Sequence, residues 1–373
     1  MNFLIVTQAE HKRNEKGEIG GYAPYVREMN LWAKYVDKIT IIAPLIKEPF
    51  DPVDIIYQHP SIHLVEIPEI NFTSVKNILH ALSCMPVIFY RIFREMIKAD
   101  HIHLRCPGNI GLFGCLLQAF FPSKKKTAKY AGNWDWNSQQ PKSYRFQQMI
   151  LRNTFLTRNM QVLVYGHWPD ATKNILPFFT ATYSDQDKTR VPEKNVGAGQ
   201  LLNLLFVGAF SQGKQPLLSV QVAEALARSG QNVQLNMFGK GVEQQLVMEY
   251  VKKNELQNIV NIHGNQHESV VREFYKKSHF LVFVSKSEGW PKVVAESMFW
   301  GCVPVTTRVS CVPEMLGQDQ RGTLVEPHLE NIVSAINAYV QDSGVYKSAS
   351  EKGMEWSRQF TLERFEKEIA KLL

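Results

Sequence analysis

Residues Phe280 to Val305 read FLVFVSKSEGWPKVVAESMFWGCVPV. The first five are wholly apolar, as expected of a strand buried on both faces of a parallel sheet. A polar loop with Glu288 and Gly289 follows. Pro291 suits the first turn of a helix that carries Glu296 and stops at Gly301. A second apolar strand begins near Val303. This succession is a repeat of a doubly wound α/β sheet, whose ligands bind beyond the carboxyl ends of the strands. The loop after Val284 is therefore where chemistry is expected. The first N–H groups of a helix lack internal partners and can hold a phosphate. Gly289 lets backbone approach a ligand closely. Trp290, Pro291 and Lys292 then shape the pocket around Glu288. A carboxylate at Glu296, more than a turn inside the helix, can accept hydrogen bonds from the cis hydroxyls of a ribose. Its plainer use is an ion pair with Lys292, worth a few tenths of a kcal/mol.

The alternation continues outward. Strands are expected at Leu204–Val207, Val233–Phe238, Ile259–Ile262 and Val303–Thr306, with helices between them. The first half repeats the pattern: strands at Phe3–Val6, Lys38–Ala43, Ile62–Ile67 and His101–Leu104. Helices are expected at Tyr22–Tyr35, after Gly20 and Gly21, at Val75–Met96, interrupted by Pro86, and at Ile110–Phe121. The aperiodic stretch around Ser184–Gly199 reads as the connection between two Rossmann-like domains.

At 373 residues the chain is long enough for two such cores. A hydrophobic fraction of 45% and a charged fraction of 21% exclude a disordered or coiled-coil protein. Lysine and arginine exceed aspartate and glutamate by 42 to 35, a net charge of +7. That excess suits phosphorylated ligands or an anionic membrane surface and is too diffuse for a nucleic-acid binder. Five cysteines, Cys84, Cys106, Cys115, Cys302 and Cys311, form no CxxC pair. Neither a disulfide framework nor a zinc site is expected. Met1–Thr7 reads as a strand rather than a signal peptide. The apolar run Ile110–Pro122 is shorter than the ~20 residues of a membrane span. It reads as a core helix, with an interfacial membrane helix as the alternative. The expected location is cytoplasmic, with peripheral contact at the inner face of the membrane. Lys124–Lys126 reads as a solvated loop.

Glu288 and Glu296, with seven residues between them inside SEGWPKVVAESMFWGCVPV, resemble the signature of glycosyltransferase family 4. The resemblance runs from about Leu204 to the C-terminus and is weaker over residues 1–180. It implies the GT-B fold: two Rossmann-like domains, residues 1–185 and 186–356, with the active site between them. A terminal helix, residues 357–373, would pack back on the first domain. It implies transfer of a sugar from a nucleotide diphosphate sugar with retention of configuration, no cofactor and no metal ion. LLFVGAFSQGKQPLL, Leu204–Leu218, resembles the segment that sets an arginine and a lysine near the donor diphosphate. Gly208 opens that loop and Lys214 takes the lysine position. Ala209 stands where the arginine is usual, which leaves Arg105 and Lys292 as candidates for the second cation. In the strand-end sequence His101-Ile102-His103-Leu104-Arg105, His103 aligns with the family's histidine that faces the donor sugar. Gly20-Gly21 resembles the glycine pair bordering acceptor and phosphate. Gly264 and Asn265 align with a loop whose backbone contacts the base. The implied catalytic set is His103, Lys214 and Glu288, and the acceptor is a glycan or lipid-linked glycan of the bacterial surface. The other readings are a GT-B epimerase or phosphorylase and a non-catalytic scaffold. Ala209 is the scaffold's sequence support.

Overall fold

The computed structural model describes residues 1–70 and 74–373. It divides into two compact units, Met1–Phe179 with Phe365–Leu373, and Thr180–Arg364.

The first unit is built on β1 (Asn2–Val6), β2 (His11–Arg13), β3 (Ile19–Tyr22), α1 (Ala23–Ala33), β4 (Lys38–Pro44), β5 (Asp54–Ile56), β6 (Ile62–Ile67) and α2 (Val75–Lys98). It continues through β7 (His101–Cys106), α3 (Asn109–Leu117), β8 (Lys125–Tyr130), α4 (Lys142–Arg152), β9 (Met160–Tyr165) and β10 (Ile175–Phe178). Seven strands form one parallel sheet in the order β10-β9-β8-β7-β1-β4-β6. Phe3, Leu4, Ile5 and Val6 of β1 are all fully buried, so both faces of the sheet are covered. Each such side chain contributes about 1.5–3 kcal/mol of hydrophobic stabilisation.

Two sequence expectations are corrected here, those for Gly20-Gly21 and for Lys126, and the core-helix reading of the Ile110 run holds. Gly20 and Gly21 do not form a turn before the helix. They lie within β3, the middle strand of a small antiparallel sheet β2-β3-β5. A Cβ on Gly20 would sit 2.2 Å from the Ile55 carbonyl oxygen, and one on Gly21 2.9 Å from that of Glu10. Close strand packing accounts for both glycines. The apolar run at Ile110 is largely core: Ile110, Phe113, Cys115 and Leu117 of α3 are buried. Finally, Lys126 is not in a solvated loop but buried near the start of β8. Its ammonium donates to the carbonyls of Gln118 (3.3 Å) and Phe121 (3.0 Å), and burial lowers its pKa to about 8.

Buried histidines give this unit a calculable acid sensitivity. Burial lowers His101 and His103 to about 3 and His11 to about 4. The unfolded chain therefore binds more protons than the fold between about pH 3 and 6.5. Their stabilising effect is complete above pH 6.5 and is lost as pH falls towards 3. At pH 5 the loss is about 2 kcal/mol for each of His101 and His103. The urea midpoint should fall between pH 7 and pH 5. His103→Phe should show a smaller fall, and an unchanged fall would contradict the assignment.

The second unit contains β11 (Leu202–Val207), α5 (Pro216–Arg228), β12 (Val233–Phe238), α6 (Gln244–Lys253), β13 (Val260–Gly264), α7 (Glu268–Lys277), β14 (Phe280–Phe283) and α8 (Lys292–Phe299). Then come β15 (Val303–Thr307), α9 (Val312–Met315), β16 (Thr323–Val325), α10 (Leu329–Gln341) and α11 (Ser343–Ser357). The last helix, α12 (Leu362–Ala370), begins at the end of this unit, and from Phe365 onward it belongs to the first. Six parallel strands run in the order β13-β12-β11-β14-β15-β16. Leu204, Phe206, Leu235, Met237, Phe280 and Val282 form the centre of its core. Lys194 ties the incoming chain to this core, donating to the carbonyls of Tyr275, Ser278 and Trp300 at 2.9, 2.8 and 2.8 Å. Carbonyl dipoles face its charge, and burial lowers its pKa to about 8.

Candidate active site

In the second sheet β11 lies between β12 and β14, so the chain order reverses there. A crevice at such a point, beyond the carboxyl ends, is where open α/β sheets bind ligands. It brings the loop after β11 beside the loop after β14. Two hydrogen bonds join them: the Lys286 backbone N–H donates to the Gly213 carbonyl at 2.8 Å, and the Gln215 side-chain amide Nε2 to the Val284 carbonyl at 2.6 Å. Lys214 and Glu288, 74 positions apart in sequence, consequently meet as an ion pair. The Lys214 ammonium also lies 4.9 Å from the centre of the Phe283 ring. Glu288 is one-tenth exposed and Lys214 one-quarter, so the pair sits at the rim, shielded from bulk water.

Past Glu288 the loop is pinned by Cys311, whose thiol donates to the Gly289 carbonyl at 3.2 Å. Trp290 stacks with Trp356 (ring centroids 6.0 Å) and meets Phe360 edge-on. Pro291 is the N-cap of α8 rather than its first residue, and helical geometry begins at Lys292. Just over one turn of helix then sets Glu296 beside the start of the unit. Thr182 hydroxyl donates to one of its carboxylate oxygens at 2.7 Å and Tyr275 hydroxyl to the other at 3.0 Å. These are the donors that a vicinal diol would also supply. Burial raises the Glu296 pKa, opposed chiefly by the Thr182 hydrogen bond and by Lys292.

The neighbouring loops are packed backbone to backbone. Gly208 N–H donates to the Phe238 carbonyl at 3.0 Å, and Gly239 N–H to that of Gly264 at 2.9 Å. Gly264, with φ +66°, ends β13, and Asn265 follows it in the loop. Gly239 has φ +129°, and a Cβ on it would lie 1.9 Å from the Gly208 carbonyl oxygen. Gly239→Ala should therefore lower stability by about 3 kcal/mol or more. Denaturant melts would check this, and a loss below ~1 kcal/mol would mean that the two loops can separate cheaply.

Sequence reasoning missed Gly239, Gly241 and Lys240. The signal was available as three residues Gly-Lys-Gly directly after a strand. Lys240 carbonyl accepts from Phe210 N–H at 2.9 Å, which fixes this residue beside the loop carrying Ala209. Its side chain passes over Gly264. Among the described residues no acidic side chain pairs with its ammonium.

The remaining expected residues lie in the first unit. His103 is in the interior of β7 rather than after it, and is fully buried. Its ring packs against Phe3 and Trp32, and its Nδ1 lies 2.9 Å from Thr127 Oγ1, which His101 shares. The strand runs on to Cys106, so its carboxyl end is three residues beyond His103. The imidazole is thus a core group with no open face for a sugar. Arg105 pairs with the buried Glu28 at 3.0 Å and lies over the Tyr25 ring. Its charge is already compensated within that unit.

Comparison with known proteins bears on this arrangement directly. Residues 187–356 match the family described as glycosyl transferases group 1. That region holds Lys214, Lys240, Glu288 and Glu296 together. An uncharacterized glycosyltransferase of Methanocaldococcus jannaschii is 27% identical over 161 residues, 43% of this chain and 44% of that protein. The Campylobacter jejuni N-acetylgalactosamine-N,N'-diacetylbacillosaminyl-diphospho-undecaprenol 4-alpha-N-acetylgalactosaminyltransferase is 26% identical over 172 residues, 46% of each chain. The chain thus spans less than half the length of these two relatives. Among solved structures, sucrose-phosphate synthase from Thermosynechococcus elongatus superposes with TM-score 0.70 at 16% identity, over 100% of this chain and 98% of that one. Anabaena HepE in complex with UDP and glucose gives TM-score 0.70 at 12% identity over the same shares. Two Rossmann-like parallel-sheet units are the GT-B architecture, and the group 1 region occupies the second of them.

Proposed function

We propose that this chain is a retaining glycosyltransferase of family 4. It moves a sugar from a nucleotide diphosphate sugar to the hydroxyl of a glycan or lipid-linked acceptor in bacterial surface glycan synthesis. The observation that carries the reading is the Lys214–Glu288 pair at the point of reversal in the second sheet, with Glu296 in the helix that follows.

The bond between the anomeric carbon and the diphosphate oxygen breaks, and its electron pair leaves with the nucleoside diphosphate. A new bond forms from the acceptor oxygen to the same face of that carbon. The acceptor proton passes to the departing phosphate oxygen. Negative charge grows on the leaving group, so fixed positive charge beside it lowers the barrier. Lys214 supplies that charge, with the first N–H groups of α8. Lys240 supplies the second cation in place of the arginine absent at Ala209. Arg105 is held by Glu28, and Lys292 lies on the helix with Glu296. Glu288 orients Lys214 and the donor sugar near Gly289. The ribose hydroxyls join or displace the Thr182 and Tyr275 hydroxyls at Glu296. Gly208, Gly264 and Asn265 present backbone to the nucleoside.

The HepE structure contains UDP and glucose, and the C. jejuni relative is named for transfer to a diphospho-undecaprenol-linked glycan. Both agree with this substrate class. Thermal melting against UDP-, GDP- and ADP-sugars tests it. One nucleotide class should raise the midpoint, and failure of all of them in a folded protein would refute the reading.

A further inference from the structure

We propose that the outer face of α2, with the adjoining turn Gln118–Phe120, docks on an anionic lipid surface. A surface helix ordinarily turns its apolar stripe inward and a polar face outward. The helix α2 does turn Ala81, Ile88, Ile92 and Met96 into the core. Yet its outer side is also apolar, with Leu79 and Tyr90 each 64% exposed and Ile78, Leu82, Phe93 and Ile97 exposed around them.

At ~100° per residue these positions fall in one arc, and Lys76, Arg91, Arg94 and Lys98 fall together along one flank of it. The patch does not end with the helix. Phe93 packs edge-on with Phe120, ring centroids 6.4 Å apart, and Phe120 is itself 71% exposed. One contiguous apolar surface therefore joins two elements, which scattered surface residues would not produce.

Charge selects the occupant. The helix carries four lysines and arginines against a single acid, Glu95. Arg94 and Lys98 both pair with that one carboxylate, at 2.8 and 2.9 Å. The Arg91 guanidinium donates to a backbone carbonyl, that of Glu66, and among the described residues no carboxylate forms an ion pair with it. An apolar face edged by cations is the pattern of a helix lying in the headgroup layer. No helix of the described residues is long and apolar enough to cross a membrane, so the contact is one of surface docking. The expected interfacial segment at Ile110–Phe121 contributes only its exposed end, Leu116 and Phe120.

The test is flotation of the full chain with vesicles of phosphatidylcholine alone and of phosphatidylcholine mixed with phosphatidylglycerol. The chain should partition onto the anionic vesicles. Leu79→Glu with Phe120→Glu should weaken this about 10-fold or more, and Arg94→Glu with Lys98→Glu should abolish the preference for phosphatidylglycerol. Unchanged thermal midpoints and unchanged nucleotide-sugar binding would show that both variants remain folded, since none of these residues belongs to the donor site. No partition of the wild-type chain, or equal partition of the glutamate variant, would overturn the proposal. A dimer of the wild type that the same variant dissociates, without vesicle binding, would assign the face to a second copy instead.

Discussion

Glu296→Ala is expected to weaken nucleotide-sugar binding by about 100-fold or more. Each hydrogen bond to an ionised carboxylate is worth roughly 1.5–3 kcal/mol. Two from a ribose would total ~3–6 kcal/mol, less the cost of competing with Thr182 and Tyr275 for the same oxygens. Glu296→Gln keeps the shape and one acceptor, so a loss nearer 10-fold is expected. The pH dependence follows from the same carboxylate. Burial raises its pKa, so protonation begins at a higher pH than for an exposed glutamate. A protonated carboxyl loses acceptor strength, so donor affinity should fall as the solution is acidified through that raised value. Glu296→Gln should flatten the dependence. Calorimetric titration with the nucleotide sugar measures both effects. Thermal melts control for the buried Tyr275 hydroxyl that Glu296→Ala strands.

Lys214→Ala is expected to lower kcat by about 100- to 1,000-fold, because it removes charge needed most as the diphosphate departs. The ion pair adds a second consequence. Without Lys214 the carboxylate of Glu288, one-tenth exposed, loses its partner and repels the diphosphate it borders. Glu288→Gln leaves the lysine free, so its loss should be smaller and should appear in sugar selectivity. Lys240→Ala should cost less than Lys214→Ala and raise KM more than it lowers kcat, as expected of a residue that binds ground and transition states alike. Steady-state kinetics of the three variants separates these roles. Equal, small effects of Lys214→Ala and Lys240→Ala would remove the electrostatic account.

Much of the fold was legible because parallel strands buried on both faces leave continuous apolar runs. Ile62–Ile67 and Val233–Phe238 have the bounds read from sequence. The strand Lys125–Tyr130 was not legible. Its KKTAKY looks solvated, and backbone carbonyl partners for Lys126 and Lys129, with aromatic rings around the Lys129 ammonium, reconcile it with the interior. The antiparallel sheet around Gly20 and Gly21 escaped for a related reason. Short strands of mixed polarity carry no period, and glycines that permit close packing look like glycines that permit a turn. In the site, the loop Ser285–Pro291 and Lys214 could be placed because strand order dictates which loops are neighbours. The histidine could not: His101 and His103 point to the same side of β7, and only the packing of Phe3 and Trp32 shows that side to be core. Ala209 hid its neighbour. The sequence registers the missing arginine, whereas the hydrogen bond from Phe210 to the Lys240 carbonyl shows which cation lies beside the gap.

The most direct measurement is turnover with the nucleotide sugar that stabilises the wild-type chain, following release of nucleoside diphosphate and the anomeric configuration of the new bond by NMR. Slow release without acceptor, faster release with a glycan acceptor, retention in the product and loss of all three in Lys214→Ala are the predicted results. A bound donor that is never cleaved, or an inverted product, would contradict the account.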